Sequence, residues 1–149
     1  MNEPTKTDPI GSFTEEHAFL SNFHYSVVHW DGREYPTVEH AFQAAKTSDE
    51  DERRLVREAS SPAQAKKLGK KVTLRSDWET VKIDIMEQLV REKFTKHAAL
   101  RAALLETGER ELIEGNTWGD RFWGKVRGAG KNHLGKILMR VREELQGSA

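Results

Sequence analysis

The sequence predicts an α+β fold, mostly α, in which one small β-hairpin accompanies a series of helices. Three observations carry this. Aromatic and branched residues over 25–30 and a second run over 33–35 flank Asp31-Gly32, a pair suited to a two-residue hairpin turn because both turn positions favour positive φ. Capping residues, prolines and glycines then divide most of the chain into stretches of helical length. Near the end, Leu134, Ile137, Leu138, Val141 and Leu145 recur at the spacing of an amphipathic helix.

The elements follow in order. Residues 1–12 are polar, with Pro4, Pro9 and Gly11, and read as a flexible lead-in to a single domain over 13–149. Pro36 ends the second strand, and Thr37 caps a helix over 38–47. Ser48 or Asp49 caps the next helix, whose sparse apolar positions are Leu55 and Val56. Ser61-Pro62 starts another, since proline suits a first turn, and Gly69 stops it. Ser76 with Glu79 makes a capping box, and Trp78, Val81, Ile85, Leu89 and Phe94 form a stripe running to Lys96. A helix over 98–106 ends at Thr107-Gly108. Short strands are expected over 111–114 and 121–126, and a loop at Gly128-Ala129-Gly130.

Composition narrows the function. Lysine plus arginine equal aspartate plus glutamate, 24 against 24, which argues against bulk electrostatic attachment to nucleic acid or an acidic membrane and leaves room for a local phosphate pocket. There is no cysteine, hence no disulfide framework and no thiolate metal site. No apolar run reaches the roughly 18 residues of a membrane span, and the N-terminus lacks a signal-peptide core. A cytoplasmic protein is expected. The six histidines show no metal spacing, and neither a phosphate loop nor a dinucleotide fingerprint is present; no metal and no cofactor are expected.

Two stretches carry chemistry. In TVEHAFQAAK (residues 37–46), Glu39, Gln43 and Lys46 are spaced by four and then three residues, which sets a carboxylate, an amide and an amine on one helix face. GNTWGDRFWG (residues 115–124) holds Trp118, Trp123, Asn116, Asp120 and three glycines. Tryptophan offers a flat surface and one donor, and glycine lets a partner approach backbone. Each residue also has a plainer reading. Glu39 can satisfy the first turn of its helix, Lys46 can pair with Asp49 or Glu50, Trp78 can be core, and Asp120 can cap a turn. The lysines around Gly69, at 66, 67, 70 and 71, fit a solvated helix end as well as a phosphate site. An acid and an amine facing a tryptophan-walled loop with a second acid suit a site that holds a flat ring and works on the bond beside it. Two carboxylates serve cleavage at a sugar carbon.

FLSNF (19–23), DGREYPTVEHAFQAAK (31–46), AKKLGKKV (65–72), RSDW (75–78), GNTWGDRFWG (115–124) and NHLGKILM (132–139) occur in this order. Together they resemble the NADAR, or YbiA-like, N-glycosidases, over residues 12–145. The resemblance implies a YbiA-like fold and an enzyme that hydrolyses an N-glycosidic bond to ribose without a metal. Family members cleave phosphoribosylated riboflavin-pathway intermediates; others remove ADP-ribose from guanine in DNA, as antitoxins to an ADP-ribosyltransferase. It makes Glu39, Lys46 and Asp120 the catalytic candidates. Asn22, Gln43, Trp78, Asn116 and Trp123 match positions lining the family pocket, with Trp118 and Gly124 of the same loop beside them. Glu39 or Asp120 would steady positive charge on the sugar while the other directs water, and Lys46 could instead trap the opened sugar as an imine. The chain departs from the family at Trp123-Gly124-Lys125-Val126, where many members have Trp-Gly-Ile-Gly; a charge replaces an apolar residue at the rim. The expected partner is a ribosyl or ADP-ribosyl substrate, with modified DNA and a neighbouring toxin as further candidates and no membrane. The alternative is a non-catalytic ADP-ribose or nucleotide reader, which would need the tryptophans and asparagines but not two acids.

Overall fold

In the computed structural model, which describes residues 7–147, the Asp31-Gly32 turn forms as its chemistry requires. Asp31 has φ 48° and Gly32 φ 80°. They join strands β1 (Val28–Trp30) and β2 (Arg33–Tyr35) into a two-stranded antiparallel sheet, with Val28 opposite Tyr35, His29 opposite Glu34 and Trp30 opposite Arg33. Six helices follow: α1 (Val38–Ala45), α2 (Glu50–Arg57), α3 (Pro62–Gly69), α4 (Trp78–Lys96), α5 (Ala98–Glu106) and α6 (His133–Gly147). A 3₁₀ helix at Glu15–Leu20, with no counterpart among the expected elements, precedes the hairpin. The chain divides into two compact units. One is continuous, Asn22–Lys96, and the other combines residues 7–21 with 97–147.

The continuous unit is built around α1, every residue of which is buried. Thr37 caps it by accepting the His40 N–H at 3.0 Å, satisfying one of the first-turn donors. Asp49 caps α2 and Ser61 caps α3. Helices α2, α3 and α4 all pack on α1. Arg53, 8% exposed, locks three segments together. Its Nε donates to the Thr47 carbonyl at 2.7 Å and its Nη1 to Asp31 Oδ2 at 2.7 Å, and its guanidinium lies 4.8 Å from the Trp30 ring centre. The α4 stripe is wider than the apolar spacing alone indicates. Met86, Val90 and Lys93 are buried beside Ile85, Leu89 and Phe94.

In the other unit, α5 packs on α6, whose Leu134, Ile137, Leu138, Val141 and Leu145 are all buried. The lead-in is anchored before residue 12. Ile10 is 2% exposed, donates its N–H to Glu111 at 2.8 Å and accepts from Ile113 at 2.8 Å; residues 1–6 lie outside those described. The strands expected over 111–114 and 121–126 do not form as strands. That region makes only isolated bridges, Ile10 with Leu112, Gly115 with Lys125 and Val126 with Ala129. The physical reason is that side chains take backbone groups a ladder would use: Asn132 Oδ1 accepts the Glu114 N–H, and Asp120 Oδ1 those of Phe122 and Trp123.

Candidate active site

Helix α1 presents Glu39, Gln43 and Lys46 in order along one face, as the four-then-three spacing dictates. Glu39 is 8% exposed and Gln43 5%. Gln43 Nε2 donates to Glu39 Oε2 at 2.6 Å, a short charge-assisted bond that fixes the carboxylate's orientation. Asn22 closes the same turn, its carbonyl accepting the Glu39 N–H at 3.1 Å, while its side-chain amide rests 3.5 Å from Met86 Sδ. Gln43 Oε1 is buried with no hydrogen-bond partner among the described residues. It lies against Gly69, where any Cβ would collide with it. Gly69 therefore does more than the helix stop expected of it. It is the last helical residue, Lys70 follows in right-handed conformation as the C-cap, and glycine is needed there for the close approach to Gln43.

Lys46 caps the C-terminus of α1 and is half-buried. Its carbonyl accepts the Arg75 N–H at 2.8 Å, which ties it to the segment leading into α4. Burial lowers the Lys46 pKa, the Glu39 carboxylate opposes that shift, and Lys70, Lys66 and Lys82 add to it. A lowered pKa enlarges the neutral fraction of the amine, the form able to attack a carbon. Trp78 is 6% exposed and packs on Phe42 of α1, centroids 5.0 Å apart and planes tilted 53°. In this position it fixes α4 against α1. His40, beside Glu39, turns the other way: Nδ1 lies 2.8 Å from Thr37 Oγ1 and Nε2 3.1 Å from the Ala59 carbonyl. The carbonyl requires Nε2 to carry the proton. Burial lowers the His40 pKa, with the Ala59 bond opposing. Its contacts are structural.

The loop over 115–124, in the other unit, is a self-braced turn. Asn116, 8% exposed, donates from Nδ2 to the Asp120 carbonyl at 2.8 Å and accepts the Asp120 N–H on Oδ1 at 3.0 Å. Asp120 Oδ1 accepts the N–H groups of Phe122 at 3.0 Å and Trp123 at 2.8 Å. The plainer reading of Asp120 as a turn builder therefore holds, whatever else its side chain does, and Asn116 braces the same turn. Trp118 is 62% exposed. Trp123 is half-buried, edge-on to Phe122 at 4.9 Å and near His133 at 6.3 Å. Gly124 is buried where a Cβ would strike the Glu114 carbonyl. Lys125, the departure in the motif, is half-buried and donates its backbone N–H to the Glu114 carbonyl at 2.9 Å.

The structure thus brings Asn22, Glu39, Gln43, Lys46 and Trp78 together on and around α1, and Asn116, Trp118, Asp120, Trp123 and Gly124 within one loop. Sequence reasoning did not single out Arg75 or Lys82, because the Arg75 bond to the Lys46 carbonyl and the charge effect of Lys82 on Lys46 join distant positions with no local spacing signature. Among the described residues, no group of three or more His, Asp or Glu side chains could hold a metal ion, and no helix is long and apolar enough to cross a membrane.

The NADAR domain family matches residues 7–146. The N-glycosidase YbiA of Escherichia coli (strain K12) is 42% identical over 137 residues, covering 90% of this chain and 85% of that protein. A riboflavin biosynthesis protein of Vibrio vulnificus is 41% identical over 135 residues, covering 89% of this chain but 36% of that longer protein. The NMR structure of the E. coli protein YbiA superposes with a TM-score of 0.83 at 40% identity, covering 95% of this chain and 88% of that one. The mostly helical fold with its two-stranded antiparallel sheet is the fold of that neighbour. The chain belongs to the NADAR domain family.

Proposed function

We propose that this chain is an N-glycosidase that hydrolyses the bond between a phosphorylated ribose, as ribose 5-phosphate or ADP-ribose, and an amine-bearing base. The observation that carries the reading is the α1 face: a buried carboxylate oriented by a 2.6 Å amide bond, about two turns from a half-buried amine of lowered pKa. Relatives named N-glycosidase YbiA and riboflavin biosynthesis protein support it.

In hydrolysis, the C1–N bond to the base breaks, the base leaves with a proton, and water supplies the new C1 hydroxyl. Positive charge grows on the sugar as the bond lengthens. The Glu39 carboxylate offsets that charge, and preorganised groups of this kind are worth a few kcal/mol each. Lys46 offers a covalent route. Its Nζ bonds to C1 as the base departs, giving an imine to the opened sugar, and water then releases the aldehyde and restores the amine. The phosphorylated substrate implies a cytoplasmic location, which cell fractionation checks.

The test is to incubate the protein with a phosphoribosylated aminopyrimidine and, separately, with DNA carrying ADP-ribosylated guanine, and to follow free base and sugar by chromatography and mass spectrometry. Release of base from either substrate supports the reading. Release from the DNA also brings modified nucleic acid, and a toxin as partner, into the account. Tight binding of ADP-ribose with no release from either substrate would leave the non-catalytic reader instead.

A further inference from the structure

Helix α1 ends in a turn that other segments hold. The N–H groups of Lys46 and Thr47 reach back to the Gln43 and Ala44 carbonyls, each at a long 3.3 Å. The Lys46 and Thr47 carbonyls, orphaned where the helix stops, are taken from outside. The Arg75 N–H donates to the first at 2.8 Å and Arg53 Nε to the second at 2.7 Å. The place of Lys46 is therefore set by its neighbours as much as by its own helix.

Glu52 joins those neighbours. It stands in the first turn of α2, where the side chain of the cap residue Asp49 accepts its N–H at 2.9 Å. A glutamate at that position ordinarily reaches back to the N–H of the cap residue and completes a reciprocal capping pattern. Here the Asp49 N–H goes to Thr47 Oγ1 at 3.2 Å instead, and the Glu52 carboxylate reaches away from its own helix. Its Oε1 accepts the Thr47 hydroxyl at 2.8 Å and the Thr73 N–H at 2.8 Å, and its Oε2 accepts the Thr73 hydroxyl at 3.2 Å. One carboxylate thus fastens the buried residue after Lys46 to the segment that supplies Arg75. These bonds hold the Glu52 carboxyl below the ordinary carboxylate value, the Thr73 N–H most of all.

We propose that Glu52 is a positioning residue for Lys46: by tying Thr47 to Thr73 it fixes the turn that ends α1, and with it the place of the Lys46 amine relative to Glu39. Lysine carries its amine on a flexible four-carbon stem, so the backbone at residue 46 must be held if the amine is to meet a carbon in line. The proposal rests on the reading of Lys46 as the attacking amine and names what holds it there.

The test measures the single-turnover rate and KM with a phosphoribosylated aminopyrimidine for Glu52→Ala, Glu52→Gln, Thr47→Val and Thr47→Ser. Glu52→Ala should lose about tenfold or more in rate with KM within about twofold of wild type, because the fault lies in aligning the attacking group. Glu52→Gln keeps an oxygen for both donors and an amide N–H for the Thr73 hydroxyl, and should restore most of the rate although the charge is gone. A role confined to stability would lower the melting temperature of Glu52→Ala and leave its rate unchanged well below melting. That result, or a loss in Glu52→Gln as large as in Glu52→Ala, overturns the proposal. If Glu52→Ala does not fold, the threonine pair decides. Thr47→Val should slow the reaction and Thr47→Ser should not, and equal rates in Thr47→Val and wild type overturn the proposal. If the wild type cleaves no glycoside, the N-glycosidase reading falls, and the Lys46 titration, followed by NMR of the ¹³C-methylated amine, still tests the positioning. Its midpoint, lowered by burial in the wild type, should rise in Glu52→Ala as the turn loosens and hold in Glu52→Gln. An unchanged midpoint in Glu52→Ala overturns the proposal.

Discussion

Lys46 and Lys93 are both lysines whose charge is made costly by burial, with opposite consequences. For Lys46 the cost serves reactivity. If the imine route operates, borohydride added during turnover should leave one reduced sugar adduct on Lys46, and the single-turnover rate should rise with pH up to a midpoint below the ordinary lysine value. Peptide mapping that finds no adduct on Lys46 removes the covalent route. Lys93 is 1% exposed, and burial pushes its pKa down to about 7. Its folded pKa lies below its unfolded one, so folding releases a proton wherever Lys93 is neutral in the fold and charged when unfolded. Stability should therefore climb between about pH 7 and pH 10, by up to about 1.4 kcal/mol per pH unit, and level off at its lowest below pH 7, where Lys93 is charged in both states. Lys93→Met should be more stable at pH 7 and lose this slope, as thermal melts across that range will show. The sequence stripe on α4 included Leu89 and Phe94 but passed over Lys93, because a lysine reads as solvent-facing until the tertiary packing is known.

At the scale of elements, α1 was legible almost completely. Thr37 as cap and the alignment of Glu39, Gln43 and Lys46 follow from local spacing and capping chemistry, whereas burial of the whole helix depends on the helices packed around it. What holds the face in place was not legible, since Gly69 on Gln43 and Arg75 on Lys46 join residues far apart in sequence. Gly69→Ala tests that support. Its methyl would displace Gln43, and turnover should fall at least tenfold while circular dichroism keeps its helical signal; wild-type turnover would mean Gln43 does not orient Glu39. The loop over 115–124 was recognisable by its residues but not by its conformation. Sequence suggested a strand over 121–126, whereas Asp120 and Asn116 bind the loop's own backbone. Two substitutions separate that bracing from chemistry. Asp120→Asn keeps an acceptor for the Phe122 and Trp123 amides while removing the charge, and Asp120→Ala removes both. If the loop acid acts in catalysis, Asp120→Asn loses roughly a hundredfold in kcat with little change in melting temperature. If it only braces the turn, Asp120→Asn stays close to wild type and Asp120→Ala loses about 1 kcal/mol of stability.

At the scale of the whole chain, the family match and the shared fold with YbiA extend over nearly all described residues, so the two compact units belong to one inherited architecture. Fold class and hairpin could be read from the sequence because they depend on turn chemistry and periodicity. The division into units could not, because it is a property of which distant segments touch. The central claim is that this architecture cleaves a ribose N-glycosidic bond through the Glu39 face of α1. The most direct measurement is turnover of a 5-phosphoribosylated aminopyrimidine in H₂¹⁸O by wild type and Glu39→Gln. The account predicts free base and ribose 5-phosphate carrying one ¹⁸O at C1 from the wild type, and a rate lower by about a hundredfold or more from the folded variant. Equal rates for the two proteins, or no base released by the wild type, would contradict it.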